Sequence, residues 1–230
     1  MTAYAFPPAP TPSVAIEGEA ARFPVRRIFC VGRNYAEHTR EMGGDPTREK
    51  PFFFTKPADA VVADGTTLPF PPETSDVHHE IELVVAIGNA GFDVAPERVR
   101  DLIFGYAVGI DLTRRDLQAE AKKAGRPWDW AKGFDNSAPI GAIRRAAQVG
   151  HPSSGRIWLA VNGAVKQDAD IADLIWSVPE LVATISRSMK LQPGDLIMTG
   201  TPAGVGPVHR GDALTGGVDG VGTIAVTFAG

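Results

Sequence analysis

Two acidic residues, Glu80 and Glu82, stand two positions apart in a segment, residues 78–87, whose pattern predicts a β-strand. Side chains two apart on a strand point to the same face, so the two carboxylates lie together and the alternate apolar residues take the other face. Adjacent carboxylates on a half-buried strand repel each other and are costly to desolvate. A hard divalent cation that prefers oxygen ligands, Mg²⁺ or Mn²⁺, removes that cost. The alternative is a strand that begins with two solvated acids.

A third acid, Asp111, follows the strand predicted over residues 106–110 and precedes a helix. With Glu80 and Glu82 it would complete a site of three carboxylates. Such a site leaves about half of an octahedral Mg²⁺ shell open to water or substrate, which suits catalysis. On its own, Asp111 is equally consistent with a structural helix cap. We interpret the neighbouring His78 and His79 as supporting residues and not as ligands.

A pair of groups that could move a proton, His38 and Glu41, lies three residues apart on a helix predicted over residues 34–42. The pattern places Asn34 at the helix cap and ends the helix at Gly43 and Gly44. Residues three apart on a helix share a face. One member of such a dyad can take a proton from water while the other orients it. A solvated helix face is the competing interpretation.

Candidate substrate contacts follow Asp111. Thr113 and Asp116 have capping-box spacing and predict a helix that ends near Gly125. On this helix Arg115 and Gln118 lie three apart and could bind a carboxylate and a carbonyl oxygen, although exposed polarity explains such pairs as well. Lys132 stands among aromatic residues, which indicates partial burial.

The predicted elements are mostly strands with few short helices. We therefore predict an α+β fold dominated by β-structure. A Pro-rich lead-in, residues 1–24, is predicted to form a poorly structured N-terminal arm, and residues 25–230 to form a single domain. The remaining predicted strands are residues 25–31, 52–55, 157–161, 164–167, 196–199 and 223–228, and the remaining helices are residues 96–104 and 179–191.

Composition excludes several classes of protein. The chain has 230 residues, a net charge of −4 and 43% hydrophobic residues, as expected for a globular domain. No basic surface is indicated that would attract nucleic acid or an anionic membrane. The sequence contains no apolar run near the length of a membrane span and no signal-peptide pattern, so a cytoplasmic protein is expected.

Taken together, these residues resemble the fumarylacetoacetate hydrolase family. The matching stretches run in family order from about Val25 to the C-terminus, and the ordered set is far more specific than any one stretch. They are residues 30–38, 54–57, 78–83, 111–116, 127–128, 131–134 and 199–206.

The resemblance implies the family's β-roll fold with short flanking helices, a homodimer, and one Mg²⁺ or Mn²⁺ per subunit held by Glu80, Glu82 and Asp111. It implies that His38 and Glu41 activate water and that Lys132 stabilises developing charge. It also implies that a 2-oxo acid is held at its carboxylate end by a group of residues comprising Arg115, Gln118, Thr201 and Lys56. The short N-terminal arm is typical of the compact subgroup of the family.

Within that subgroup, residues 41–46 and 51–54 look like those of bacterial fumarylpyruvate hydrolases of gentisate catabolism. The expected activity is hydrolysis of the C–C bond of an acylpyruvate, a 2,4-dioxo acid, with fumarylpyruvate giving fumarate and pyruvate. A lyase of the same family, an oxaloacetate decarboxylase or a decarboxylating or isomerising enzyme, is the alternative. A non-catalytic divalent-metal binding module ranks last.

Overall fold

The computed structural model describes residues 3–43 and 49–230. In this part of the chain strands dominate, which confirms the predicted β-rich α+β class, and no helix has the length and apolarity to cross a bilayer. The α-helices are α1 Ala36–Glu41, α2 Arg115–Lys123, α3 Asp129–Lys132, α4 Ala146–Val149 and α5 Val178–Ser188, and short 3₁₀ segments span Ala58–Ala60, Pro96–Leu102 and Ile171–Asp173. The strands are β1 Ser13–Ala15, β2 Arg22–Pro24, β3 Arg27–Val31, β4 Phe53–Lys56, β5 Val61–Ala63, β6 Thr67–Leu68, β7 Val77–His79, β8 Ile81–Ile87, β9 Ile103–Ile110, β10 Thr113–Arg114, β11 Ala138–Ile140, β12 Arg144–Arg145, β13 Arg156–Val161, β14 Ala164–Asp170, β15 Asp195–Met198, β16 Gly206–Val208, β17 Ala213–Val218 and β18 Gly222–Phe228.

The central sheet has eight strands in the order β4-β3-β15-β8-β9-β11-β5, with β12 paired to β9. A five-stranded sheet, β14-β13-β17-β18-β6, packs against it, and a three-stranded sheet, β10-β7-β16, lies at the end of β8. Since β15 joins β3 in parallel and β8 in antiparallel fashion, segments far apart in the chain meet at the ends of these strands.

Strand β8 is buried on both faces, whereas the sequence pattern suggested a half-buried strand. Ile81, Leu83, Val85 and Ile87 belong to the larger apolar cluster, as their period-two spacing predicted. Val84 and Ala86, on the face that carries Glu82, enter a second apolar cluster. The carboxylates therefore lie at the edge of the core.

The prediction that the N-terminal segment is poorly structured is wrong for residues 13–24. Strands β1 and β2 form an antiparallel hairpin between residues 13 and 24. Val14, Ile16 and Phe23 are buried in the second apolar cluster, so this hairpin is part of the packed structure. Prolines in the segment suggested a poorly structured lead-in, but proline is compatible with short edge strands.

Two predicted helix starts are also wrong. Helix α1 begins at Ala36, and Asn34 does not cap it; its side chain bonds to Trp176 and to the carbonyl of Thr199 instead. Helix α2 begins at Arg115 without a capping box, because Thr113 lies in strand β10. The predicted stop at Gly44 falls outside the described residues.

Other boundaries differ in smaller ways. The helix predicted over residues 96–104 is a 3₁₀ helix that ends at Leu102, and strand β9 begins directly after it. Helix α5 buries Leu181, Val182 and Ile185 as predicted, but Met189 follows the helix and is exposed. The predicted hairpin turn at Asn162 and Gly163 is confirmed, since both residues have positive φ angles.

Candidate metal centre and active site

Three buried carboxylates meet at the junction of β7, β8 and β9. Glu80 links β7 to β8, Glu82 is the second residue of β8, and Asp111 directly follows β9. The antiparallel register pairs Ile81 with Ile110, and the Asp111 amide donates to the Glu80 carbonyl at 2.8 Å. One carboxylate oxygen from each of the three lies within 4.8 Å of the others. Register, more than spacing along the chain, therefore brings Asp111 to the pair.

Cationic side chains surround two of the three carboxylates. Lys132 Nζ lies 2.7 Å from Glu80 Oε2 and 2.8 Å from Asp111 Oδ2. Arg115 forms an ion pair with the other oxygen of Glu80. The Lys132 side chain is buried, as the aromatic residues around it indicated; its ammonium lies 4.9 Å from the centre of the Phe54 ring.

Glu82 has different surroundings. Its Oε2 accepts a hydrogen bond from the Gly200 amide at 2.6 Å, and no ion pair to it occurs among the described residues. Burial, and then the negative charges of Asp111 and Glu80, raise its pKa well above the usual range. Burial alone would raise the pKa of Glu80 as well, but attraction to Lys132 and Arg115 outweighs burial and lowers it.

This donor set fits a divalent cation. All three groups supply oxygen ligands, which Mg²⁺ and Mn²⁺ prefer. Asp111 Oδ1 is buried and accepts no hydrogen bond of good geometry, although Lys56 Nζ lies 2.8 Å away. A cation placed among the carboxylates would relieve the repulsion that raises the pKa of Glu82.

His38, which is paired with Glu41 on helix α1, lines a small cavity together with Glu80. His38 Nδ1 is 3.1 Å from Glu41 Oε2, and the imidazole is almost completely buried. The Gly204 amide lies 3.1 and 3.3 Å from the two oxygens of the Glu41 carboxylate and so orients it. His38, Glu80, Arg115, Gln118 and Lys132 all line this cavity, which has a volume of about 30 Å³.

The predicted substrate contacts fall into two groups. Arg115 and Gln118 line the cavity, and Arg115 Nη1 donates to Gln118 Oε1 at 2.5 Å. Lys56 is fully buried behind Asp111, and its ammonium also donates to the carbonyls of Leu112 and Lys132. Thr201 is buried and accepts a hydrogen bond from Gln167. The structure brings all of these residues close to the carboxylates, and their roles stay predictions.

Gln167, a buried residue of β14, did not stand out in the sequence. Its Oε1 accepts from the Ile81 amide at 3.0 Å and lies 3.0 Å from His79 Nδ1. Its Nε2 donates to Thr201 Oγ1 at 2.7 Å and to the Pro202 carbonyl at 2.8 Å. Gln167 thus joins the start of β8 to the loop after β15. Neighbouring residues of the strand are exposed, so local polarity gave no signal of its burial.

Comparison with known proteins agrees with the fold. The family profile described as fumarylacetoacetate (FAA) hydrolase, C-terminal, matches residues 27–229. The chain therefore belongs to the fumarylacetoacetate hydrolase family, and the predicted β-roll is confirmed.

Individual relatives carry different activities. A fumarylpyruvate hydrolase from Ralstonia sp is 45% identical over 183 residues, which cover 80% of this chain and 95% of that relative. The oxaloacetate tautomerase YcgM of Escherichia coli K12 is 43% identical, with 89% and 93% covered. The crystal structure of a Pseudomonas aeruginosa fumarylpyruvate hydrolase in complex with Mn²⁺ and pyruvate has a TM-score of 0.96 at 52% identity and covers 99% of each chain.

Proposed function

We propose that this protein is a metal-dependent hydrolase that cleaves the C3–C4 bond of an acylpyruvate, converting fumarylpyruvate to fumarate and pyruvate. The observation that carries the proposal is that the buried His38, which is paired with Glu41, lines the same cavity as Glu80, one of the three clustered carboxylates. Hydrolysis needs an activated water beside a bound 2-oxo acid, and this arrangement offers groups for both tasks. The similarity to fumarylpyruvate hydrolases supports this choice of substrate.

Glu80, Glu82 and Asp111 would hold one Mg²⁺ or Mn²⁺. When bound, such a cation supplies Lewis-acid polarisation of the substrate's 2-oxo group. Arg115 and Gln118 would orient the C1 carboxylate through charge-assisted and neutral hydrogen bonds. Thr201 would fix the loop after β15 through its hydrogen bond with Gln167. Lys56 would fix Asp111 through their ion pair.

The proton transfer would involve His38. Its imidazole takes a proton from water while Glu41 holds the ring in orientation, and the water oxygen adds to the C4 carbonyl. Lys132 stabilises the negative charge that develops on the C4 oxygen. The C3–C4 bond then breaks, C4 leaves as the carboxylic acid, and the proton held by His38 is available for C3 of the departing pyruvate.

Tautomerisation of oxaloacetate is the second candidate, since relatives of similar identity have that activity. It moves a proton between C3 and the C2 oxygen and needs no attacking water. Decarboxylation of oxaloacetate, the lyase alternative from the sequence, likewise needs the 2-oxo acid site alone. Of the three activities, only hydrolysis therefore requires a water molecule activated by His38 and Glu41.

The test is product analysis of fumarylpyruvate, acetylpyruvate and oxaloacetate with added Mg²⁺ or Mn²⁺, for wild type, His38→Ala and the control Glu37→Gln on the same helix. We expect His38→Ala to lower hydrolysis by about 10²–10⁴-fold, the usual contribution of a general base. Affinity for Mn²⁺ should not change. If the wild type leaves both acylpyruvates intact and rapidly interconverts the enol and keto forms of oxaloacetate, the proposal of a hydrolase is wrong and the protein is a tautomerase.

We also propose a cytoplasmic homodimer acting in the breakdown of aromatic compounds, as the family resemblance implies. Light scattering on the protein as it elutes from a size-exclusion column measures its molecular mass and so tests the oligomeric state. A monomer at micromolar concentration would contradict it.

A further inference from the structure

Arg33 is a cation of the active-site cavity that the proposed mechanism does not use. It is half-buried and lines the cavity together with His38, Glu80 and Arg115. Within residues 3–43 and 49–230 its guanidinium makes no hydrogen bond or ion pair with another side chain. Glu49 borders the neighbouring small cavity that Arg33 also reaches, yet no ion pair joins the two.

The other cations near the carboxylates are already engaged. Arg115 is bound to Glu80 and Gln118, and Lys132 bridges Glu80 and Asp111. Lys122, at the rim, is exposed and therefore solvated. A partly desolvated guanidinium without a partner is unfavourable, and its planar fork matches a carboxylate in bidentate fashion. Among these cations Arg33 is thus the one that remains available for a second carboxylate, beyond the C1 carboxylate assigned to Arg115.

An aromatic wall stands beside Arg33. The Phe52 ring lies over Gly32, where an added Cβ atom would be only 1.9 Å from Phe52 Cζ. Phe52 meets Trp128 edge-on, with ring centres 5.3 Å apart, and Trp128 lines the active-site cavity. Flat apolar surfaces of this kind pack well against a planar, conjugated acyl chain.

We propose that Arg33 binds a carboxylate at the far end of the substrate's acyl chain, while the Phe52–Trp128 wall packs along that chain. This inference rests on the proposed acylpyruvate hydrolase function and narrows its substrates to acylpyruvates that carry a second, terminal carboxylate. Arg115 binds the carboxylate at the 2-oxo acid end of the substrate, and Arg33 binds the carboxylate at the end of the acyl chain.

A larger cleft of about 480 Å³ gives the acyl chain an alternative path. Trp128 and Lys132 line this cleft as well as the active-site cavity, and Phe52 and Arg126 also lie on its lining. Arg126 is exposed, so solvent already satisfies its charge. A path through this cleft would make Arg126, and not Arg33, the partner of the terminal carboxylate.

The test uses two ligands that cannot be cleaved because they lack the 4-oxo group: 2-oxoheptanedioate, with the seven-carbon chain of fumarylpyruvate, and 2-oxoheptanoate, without the terminal carboxylate. Binding is measured by calorimetry on the Mn²⁺-loaded protein. We expect wild type to prefer the diacid by about tenfold or more, as charge-assisted hydrogen bonds give. Arg33→Ala should remove this preference without changing binding of the monoacid, and Arg33→Lys should restore part of it.

The controls are Arg126→Ala and Arg40→Ala, which removes an exposed charge from helix α1. Both should keep the preference for the diacid. Equal binding of the two ligands by wild type, or an undiminished preference in Arg33→Ala, would overturn the assignment. Loss of the preference in Arg126→Ala would overturn it too, by placing the chain in the larger cleft.

Hydrolysis of fumarylpyruvate and acetylpyruvate separates this inference from the proposed function. A wild-type preference for the diacid that Arg33→Ala removes, together with hydrolysis of neither compound, would reject the hydrolase and keep Arg33 as a carboxylate site. Wild type that hydrolyses both compounds without any preference for the diacid would keep the hydrolase and reject the role of Arg33.

Discussion

Glu82 differs from Glu80 and Asp111 in having a backbone amide as its partner where they have ammonium or guanidinium groups. The raised pKa of its carboxyl reflects burial next to two like charges. A bound cation would therefore improve the surroundings of Glu82 more than those of the other two. The residue whose charge is least compensated is the one on which metal affinity should depend most.

Replacing Glu82 by Ala should abolish tight binding of Mn²⁺ and leave the protein folded, because removing the uncompensated charge also removes a buried cost. Calorimetric titration with Mn²⁺ and circular dichroism measure the two properties. Chelation should likewise abolish activity, and added Mg²⁺ or Mn²⁺ should restore it. The exposed Glu97→Ala is the control. Full activity after exhaustive chelation would rule out a metal-dependent enzyme.

The loop after β15 contacts both the cluster of three carboxylates and the His38–Glu41 pair. Gly200 donates its amide to Glu82, and Gly204 donates to Glu41. Gly204 has a φ of +90°, and a Cβ atom there would lie 2.1 Å from the carbonyl oxygen of Lys166. Only glycine fits both the backbone angle and the approach of strand β14.

Gly204→Ala should shift this loop, break its hydrogen bonds to Glu41 and lower the rate of hydrolysis, with Mn²⁺ affinity kept. Gly220→Ala is a matched control, since Gly220 also has a positive φ, of 73°, but open space around it. The control should lose about 1–2 kcal/mol of stability from backbone strain and retain activity. If both variants fold and have equal activities, the hydrogen bonds from this loop to Glu41 are not needed for hydrolysis.

The first turn of α2, which carries Arg115, is attached by Asp116 to the loop that precedes strand β7. Its carboxylate accepts from Thr74 Oγ1 at 2.7 Å, from the Ser75 amide at 3.0 Å and from the Leu117 amide at 2.9 Å. Burial opposes ionisation, but these hydrogen bonds outweigh it and lower the pKa of Asp116. A lowered folded pKa contributes stability above the unfolded pKa and loses it as the pH falls through the folded value.

Urea unfolding of wild type and Asp116→Asn at several pH values tests this attachment. Wild type should be the more stable at pH 7, and its advantage should disappear as the pH falls below about 3.9, the ordinary pKa of an aspartate. An advantage that stays constant down to pH 3 would show that ionisation of Asp116 does not stabilise the helix start.

Local patterns predicted the elements of the site better than their contacts. The two-residue spacing of Glu80 and Glu82 and the three-residue spacing of His38 and Glu41 are periodic features, and the structure confirms that each pair lies together. The meeting of Asp111 with Glu80 depends on the register of β8 against β9, which side-chain periodicity does not specify. Asn34 was misinterpreted because a polar residue before a helix commonly caps it, whereas here long-range partners compete successfully for its side chain.

The N-terminal hairpin packs onto the second apolar cluster and shields it from solvent. Phe23 packs against Phe104 of β9 with ring centres 5.3 Å apart. The Ile143 amide donates to the Ala15 carbonyl at 2.8 Å, and the Glu17 amide donates to the Ile143 carbonyl at 2.9 Å. The hairpin thus covers the side of the central sheet opposite the larger cluster, through contacts between residues 81 to 128 positions apart.

Two truncations test whether this hairpin is an arm or part of the core. Removal of residues 1–24 exposes the partners of Val14, Ile16 and Phe23, each of whose burial contributes about 1.5–3 kcal/mol. Their sum is comparable to the whole stability of a typical domain, about 5–15 kcal/mol, so this variant should unfold at a much lower temperature or fail to fold. Residues 3–10 are exposed, so removal of residues 1–10 should leave thermal unfolding and activity unchanged. If both truncated proteins unfold at the same temperature as the full chain, the hairpin contributes nothing to the stability of the core. The segment would then behave as the separate arm that its prolines suggested.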